Sequence, residues 1–138
     1  MSVQTLHLPA AAYAYLDRSA GSLREATTST DIPERYARAH VAALQAVAAL
    51  LSVRARPEPA RRGRRQRNAW VLLAEVAPEL AEWATLFAAG ARKRAAAEAG
   101  SRRAVTVREA DDLVRDADRF LGLVSSSLGV QRLQPPHE

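Results

Sequence analysis

Apolar residues recur along this chain at three- and four-residue intervals, the spacing that lines one face of an α-helix. The clearest case is Ala110, Leu113, Val114, Ala117, Phe120, Leu121, Val124 and Leu128, preceded by Thr106 and Glu109 at capping-box spacing. A second stripe, Ile32, Tyr36, Ala39, Ala43, Val47, Leu50 and Leu51, predicts a helix that opens at Asp31 and runs to about Arg54. There Asp31 and Glu34 repeat the box with Asp in place of Ser or Thr, and Pro33 occupies the first turn. Upstream, Ala12, Tyr15, Leu16, Leu23 and Ala26 predict a helix from Pro9 to about Ala26, weakened in its middle by Gly21.

Downstream of residue 67 the pattern is interrupted. Asn68 can cap a helix carrying Trp70, Leu73, Ala74 and Ala77, and Pro78 breaks or kinks it because proline has no amide donor and clashes with the preceding turn. Leu80, Ala81, Ala84, Phe87, Ala88 and Ala91 then resume the stripe, which fades toward a stop at Gly100. Ala88, Ala89, Gly90 and Ala91 are small enough to let two helices approach closely, or are ordinary helix filler. Aromatic and β-branched residues are few, so strands have little support. These elements predict an all-α fold: an antiparallel bundle of four to five helices in one domain spanning residues 1–138, with a frayed tail over 129–138.

Between the second and third helices lies "RARPEPARRGRRQR", residues 54–67, which holds seven arginines and no apolar face to bury. It reads as an Arg-rich connecting loop. The formal net charge is +5, with a pI near 10.6, as a binder of nucleic acid or another polyanion would show. Only one basic residue, Lys93, is a lysine. Together with the abundant alanine this is what GC-rich coding DNA produces, so part of the arginine excess reflects codon usage. Arg61, Arg62, Arg64, Arg65 and Arg67 are candidate phosphate contacts, and Arg92, Lys93 and Arg94, with Arg102 and Arg103, would extend that surface if the bundle brings the segments together. No aromatic residue interleaves these arginines, which argues against a stacking platform for bases.

Other chemistry is scarce. With no cysteine, disulfides, thiolate metal sites and cysteine nucleophiles are excluded. No phosphate-binding glycine loop, zinc spacing or nucleophilic triad is visible, and no cofactor is expected. The acids Glu109, Asp111, Asp112, Asp116 and Asp118 surround a helix start, where the dipole favours negative charge. Asp111 with Arg115 has a helix-surface explanation, so no metal is assigned. The amino terminus lacks the features of a signal peptide, and the apolar run "VAALQAVAALLSV" is shorter than the roughly 20 residues a span needs. A cytoplasmic protein without membrane contact is expected.

"IPERYARAH", residues 32–40, places Arg35 and His40 five positions apart. A histidine can act as general acid or base, and an arginine can stabilise charge on a phosphate. Five helical positions rotate the side chain by about 140°, so the two do not share a face of a regular helix. Tyr36, His40, Leu44, Val47 and Leu51 do line up. Arg35 can instead pair with Asp31, and Arg38 with Glu34, four residues away in each case.

The run "RYARAHVAALQAVAALL", followed by the basic stretch and "AWVLLAEVAPELAEWATLFAAGARKRAAAEAG", resembles the small single-domain actinobacterial branch of the HEPN superfamily over roughly residues 10–128. The resemblance implies a helical bundle, often a homodimer, in a superfamily of RNA-acting and nucleotide-associated proteins that includes metal-independent ribonucleases. Many of those ribonucleases carry an arginine, four to six residues, then a histidine, and Arg35 and His40 fit the shortest such spacing. The chain departs from the nuclease pattern in having Tyr36 after the arginine and in carrying the motif early in the bundle. The expectation is therefore a non-catalytic module that binds RNA, a nucleotide or a protein partner. Two alternatives stand beside it: an endoribonuclease using Arg35 and His40, which requires both on an accessible groove, and a helical adaptor, which requires a large exposed apolar patch.

Overall fold

A computed structural model describes residues 8–55 and 68–131. Its described residues form an all-α bundle of α1 (Ala10–Thr28), α2 (Ile32–Arg54), α3 (Ala69–Val76), α4 (Ala81–Ala89), α5 (Ala91–Glu98) and α6 (Val107–Ser127), with a 3-10 turn at Pro78–Leu80 between α3 and α4. Helix α2 is central and packs against α1, α3, α5 and α6. By length and composition it could cross a membrane, yet 56% of its most apolar window is buried inside the bundle. Its apolar character thus serves the core.

The ends of the elements follow from local chemistry. At α2 the Asp31 side chain accepts the amide of Glu34 at 3.5 Å. The carboxylate of Glu34 does not complete the box; it accepts the hydroxyl of Ser29 at 3.1 Å. At α6 the box is complete, with the Glu109 amide donating to Thr106 Oγ1 at 3.1 Å and the Thr106 amide donating to Glu109 Oε1 at 2.9 Å. Asn68 Oδ1 caps α3 by accepting the Trp70 amide at 2.8 Å. Gly100 stops α5 at a φ of 91°, where the Ser101 amide reaches the Ala96 carbonyl and the Gly100 amide that of Ala97, both at 3.0 Å. That is a Schellman closure, which needs the left-handed conformation glycine adopts without strain.

Two faces of α2 differ in composition. Toward α1 it presents Ala42 and Gln45, and Ala39, Ala42, Ala43, Ala46 and Ala49 are all buried along the helix. Two buried serines of α1 fill the gap between Leu16 and Leu23 that the apolar line left open. The Ser19 hydroxyl donates to the Ala42 carbonyl at 2.6 Å, and the Ser22 hydroxyl donates to Gln45 Oε1 at 2.7 Å. Small side chains let the helices approach closely, and each buried hydroxyl finds a partner across the contact.

The opposite side holds the aromatic core. Phe87 stacks on Trp70 with centroids 5.2 Å apart and lies 5.1 Å from Phe120, while Trp83 stands 5.7 Å from Phe120. Both tryptophans belong to this cluster, as helical spacing suggests. Of the small stretch 88–91, only Gly90 makes a close approach: a Cβ there would sit 2.6 Å from Tyr36 Oη. Ala88, Ala89 and Ala91 face solvent. Tyr13 is likewise 45% exposed, so it does not join the core.

Candidate functional site

His40 and Arg35 leave α2 toward different neighbours. The His40 side chain enters the aromatic core, where the residue is 1% exposed. Its ring meets Trp70 edge-on at 5.8 Å and Phe87 at 6.4 Å. Nε2 lies 2.9 Å from the Phe87 carbonyl oxygen. A carbonyl can only accept, so Nε2 carries the proton and Nδ1 is left with its lone pair. Nδ1 is enclosed and has no hydrogen-bond partner among the described residues. Burial pushes the imidazole below its ordinary pKa; the Phe87 bond acts the other way, and the Arg94 and Glu98 charges oppose one another. Desolvation thus favours the neutral ring, with Nε2–H donating to Phe87 and the enclosed Nδ1 unprotonated.

Arg35 instead crosses to α6, where its guanidinium pairs with Asp111. That long-range pair replaces both local pairings suggested by four-residue spacing, since Arg115 turns to Asp112 at 3.2 Å. Glu34 and Arg38 do face one another, at 3.8 Å. Tyr36, between the two candidates, is buried, and its phenol is pushed above its ordinary pKa by desolvation. The structure does not bring Arg35 and His40 onto a shared accessible groove. An acid–base nitrogen must reach the proton it moves; here one ring nitrogen is committed to Phe87 and the other is walled in.

The acids at the start of α6 are engaged in structure. Glu109 serves the cap and also pairs with Lys93, and Asp111 holds Arg35. Asp112 lies between Arg108, at 4.0 Å, and Arg115. The Asp116 carboxyl is pushed up, first by burial and then by the Asp112 charge.

The basic candidates divide. Arg61, Arg62, Arg64, Arg65 and Arg67 lie outside the described residues. On α5, Lys93 is taken by Glu109 and Arg94 pairs with Glu98 at 3.3 Å. Arg92, Arg102 and Arg103 are exposed and make no ion pair among the described residues. Arg102 also borders a groove of about 460 Å³ between the start of α2 and the end of α5, whose other charges are Asp31, Glu34, Arg38 and Glu98. A second groove, of about 620 Å³, separates α1 from α2 and gathers Arg18, Arg24 and Arg38. Sequence reasoning passed over Arg18 and Arg24, and gave Arg38 only a surface pair with Glu34. The available signal was the recurrence of Arg18, Gly21, Ser22, Glu25 and Thr28 at helical spacing on the polar side of α1.

Residues 26–125 match the family model described as HEPN_SAV_6107-like HEPN, which covers α2 through most of α6. No curated protein and no solved structure matches the chain.

Proposed function

The chain belongs to the HEPN_SAV_6107-like HEPN family, and from that premise we propose that it is a non-catalytic helical module that binds RNA through the arginines at α5 and the turn beyond it. The enclosure of His40 carries this reading. A ribonuclease that works without metal needs a titratable group at the 2′-hydroxyl or the leaving oxygen, and an imidazole 1% exposed and bonded to a backbone carbonyl offers neither ring nitrogen. Exchanging its neighbours Trp70, Phe87 and Gly90 for solvent would require opening the core.

Binding, by contrast, needs only exposed charge. Arg92, Arg102 and Arg103 supply it, with guanidinium groups that remain charged and bond phosphate oxygens in pairs. A homodimer and a cytoplasmic setting belong to the same reading, the dimer by family resemblance. An adaptor role has less support, because the large exposed apolar side chains Tyr13, Val53, Val71, Leu86, Val107 and Leu123 are distributed over five helices.

Anisotropy of a labelled single-stranded RNA, titrated from about 50 to about 300 mM salt, tests the proposal. Affinity is expected to fall steeply with salt, and replacing Arg92, Arg102 and Arg103 together by Gln is expected to reduce the log–log slope by about 2, since each phosphate contact on a single strand contributes roughly 0.7. Affinity that is unchanged across this range contradicts it.

A further inference from the structure

The groove between α1 and α2 has a charge imbalance that the fold does not consume. Residues 18, 21, 22, 25 and 28 of α1 lie along one edge, and residues 38 and 45 of α2 lie two turns apart on the facing edge. Three guanidinium groups, Arg18, Arg24 and Arg38, line it against one carboxylate, Glu25. Glu25 and, from outside the groove, Glu34 each meet Arg38 only at 3.8 Å, with all three side chains about half in solvent. Arg24 has no ion pair among the described residues, and the guanidinium of Arg18 rests 5.8 Å over the ring of Tyr15. At the floor, Gln45 accepts the Ser22 hydroxyl through its carbonyl oxygen, which leaves its amide N–H donors for another partner.

Gly21 makes the floor bare. It sits in the interior of α1, where glycine weakens a helix relative to alanine, and no packing demands it. The nearest atom to a Cβ built there is Nη2 of Arg24, at 3.7 Å. The missing side chain keeps the groove open beside that guanidinium. No aromatic ring lines the groove, so a base has nothing to stack on.

We propose that this groove binds the terminal phosphate of a phosphorylated ligand, with Arg24 and Arg38 bonding its oxygens, Arg18 adding charge, and Gln45 donating from the floor. A terminal phosphate carries close to two negative charges and so draws more from the three guanidiniums than an internal phosphodiester, which carries one. Planar guanidinium forks suit phosphate oxygens. Because the groove is open, the remainder of the ligand stays in solvent, and recognition falls on the phosphate end. Arg38 also lines the groove that Arg102 borders, but Arg18, Gly21, Arg24 and Gln45 belong to this groove and not to that one, so the site can be tested apart from the RNA reading.

The test is titration of the full chain with pyrophosphate, followed by NMR at the backbone amides of Ser22 and Gln45. Saturable shifts at these amides are expected. Arg24→Gln should weaken binding at least about tenfold, the scale of one charge-assisted hydrogen bond lost. Gly21→Leu fills the groove without altering charge, favours the helix and should still weaken binding comparably, and Glu25→Gln should tighten it. Arg108→Gln, on α6 and outside the groove, should leave it unchanged. Absence of saturable shifts, equal weakening by Arg108→Gln, or shifts at these amides with an unphosphorylated oligoribonucleotide but not with pyrophosphate would each overturn the proposal.

Discussion

A neutral imidazole inside an aromatic core makes stability depend on pH. The folded chain holds His40 below its ordinary pKa, mainly through desolvation, whereas the unfolded chain protonates it near about 6.5. Below that value the unfolded state takes up a proton that the folded state refuses, so the His40 contribution is present above the unfolded pKa and is lost as pH falls through it. Urea unfolding at about pH 7.5 and about pH 5.5 should show lower stability at the acid value, and His40→Gln, which keeps a donor for Phe87 but does not titrate, should flatten the difference. Asp116, whose carboxyl is pushed up by burial, works in the opposite sense at lower pH, because its folded state holds the proton more tightly. His40→Ala removes a buried ring and its hydrogen bond to the Phe87 carbonyl, which then keeps only the Gly90 amide, at a cost of about 2–4 kcal/mol in chemical denaturation. That His40 faces inward was legible in the sequence, because it shares a line with Tyr36 and Val47, both buried. The partner of Arg35 was not. Asp111 is distant along the chain, and local spacing offered Asp31 as an equally good acid.

At the level of elements, the capping box of α6 and the glycines make separable contributions. Thr106→Ala removes the acceptor for the Glu109 amide and should cost about 1 kcal/mol. Gly21→Ala should stabilise by about 0.5–1 kcal/mol, since the new Cβ meets nothing closer than 3.7 Å. At Gly90 the sign reverses. A methyl would lie 2.6 Å from Tyr36 Oη on a buried ring, so Gly90→Ala should cost about 1–3 kcal/mol, and Tyr36→Phe in that background should recover part of it in a double-mutant cycle. Helix boundaries were well marked by Asp31, Pro78, Thr106 and Gly100, all of which act within one turn of the chain. The α1–α2 contact was less visible. Ser19 and Ser22 read as polar positions, and only the opposing Ala42 carbonyl and Gln45 side chain make them buried ones.

Across the whole molecule, charge ties the bundle together at its surface and leaves a remainder for partners. Arg54 bonds Glu79 at 2.9 Å and also Ser127, joining α2 to the 3-10 turn and α6. Arg35 and Lys93 reach α6 from α2 and α5. Such exposed pairs contribute below about 1 kcal/mol each, so the aromatic cluster around Phe87 and the alanine–serine contact dominate cohesion. Arg92, Arg102 and Arg103, with Arg18 and Arg24 of the α1–α2 groove, make no ion pair among the described residues and are where the proposed ligands would bind. In this HEPN fold the histidine on which catalysis would depend is enclosed. Incubation of wild type and His40→Gln, at matched folded fraction, with total cellular RNA in EDTA tests this: RNA should remain intact in both, and discrete cleavage by wild type that disappears in the variant would show His40 to be catalytic.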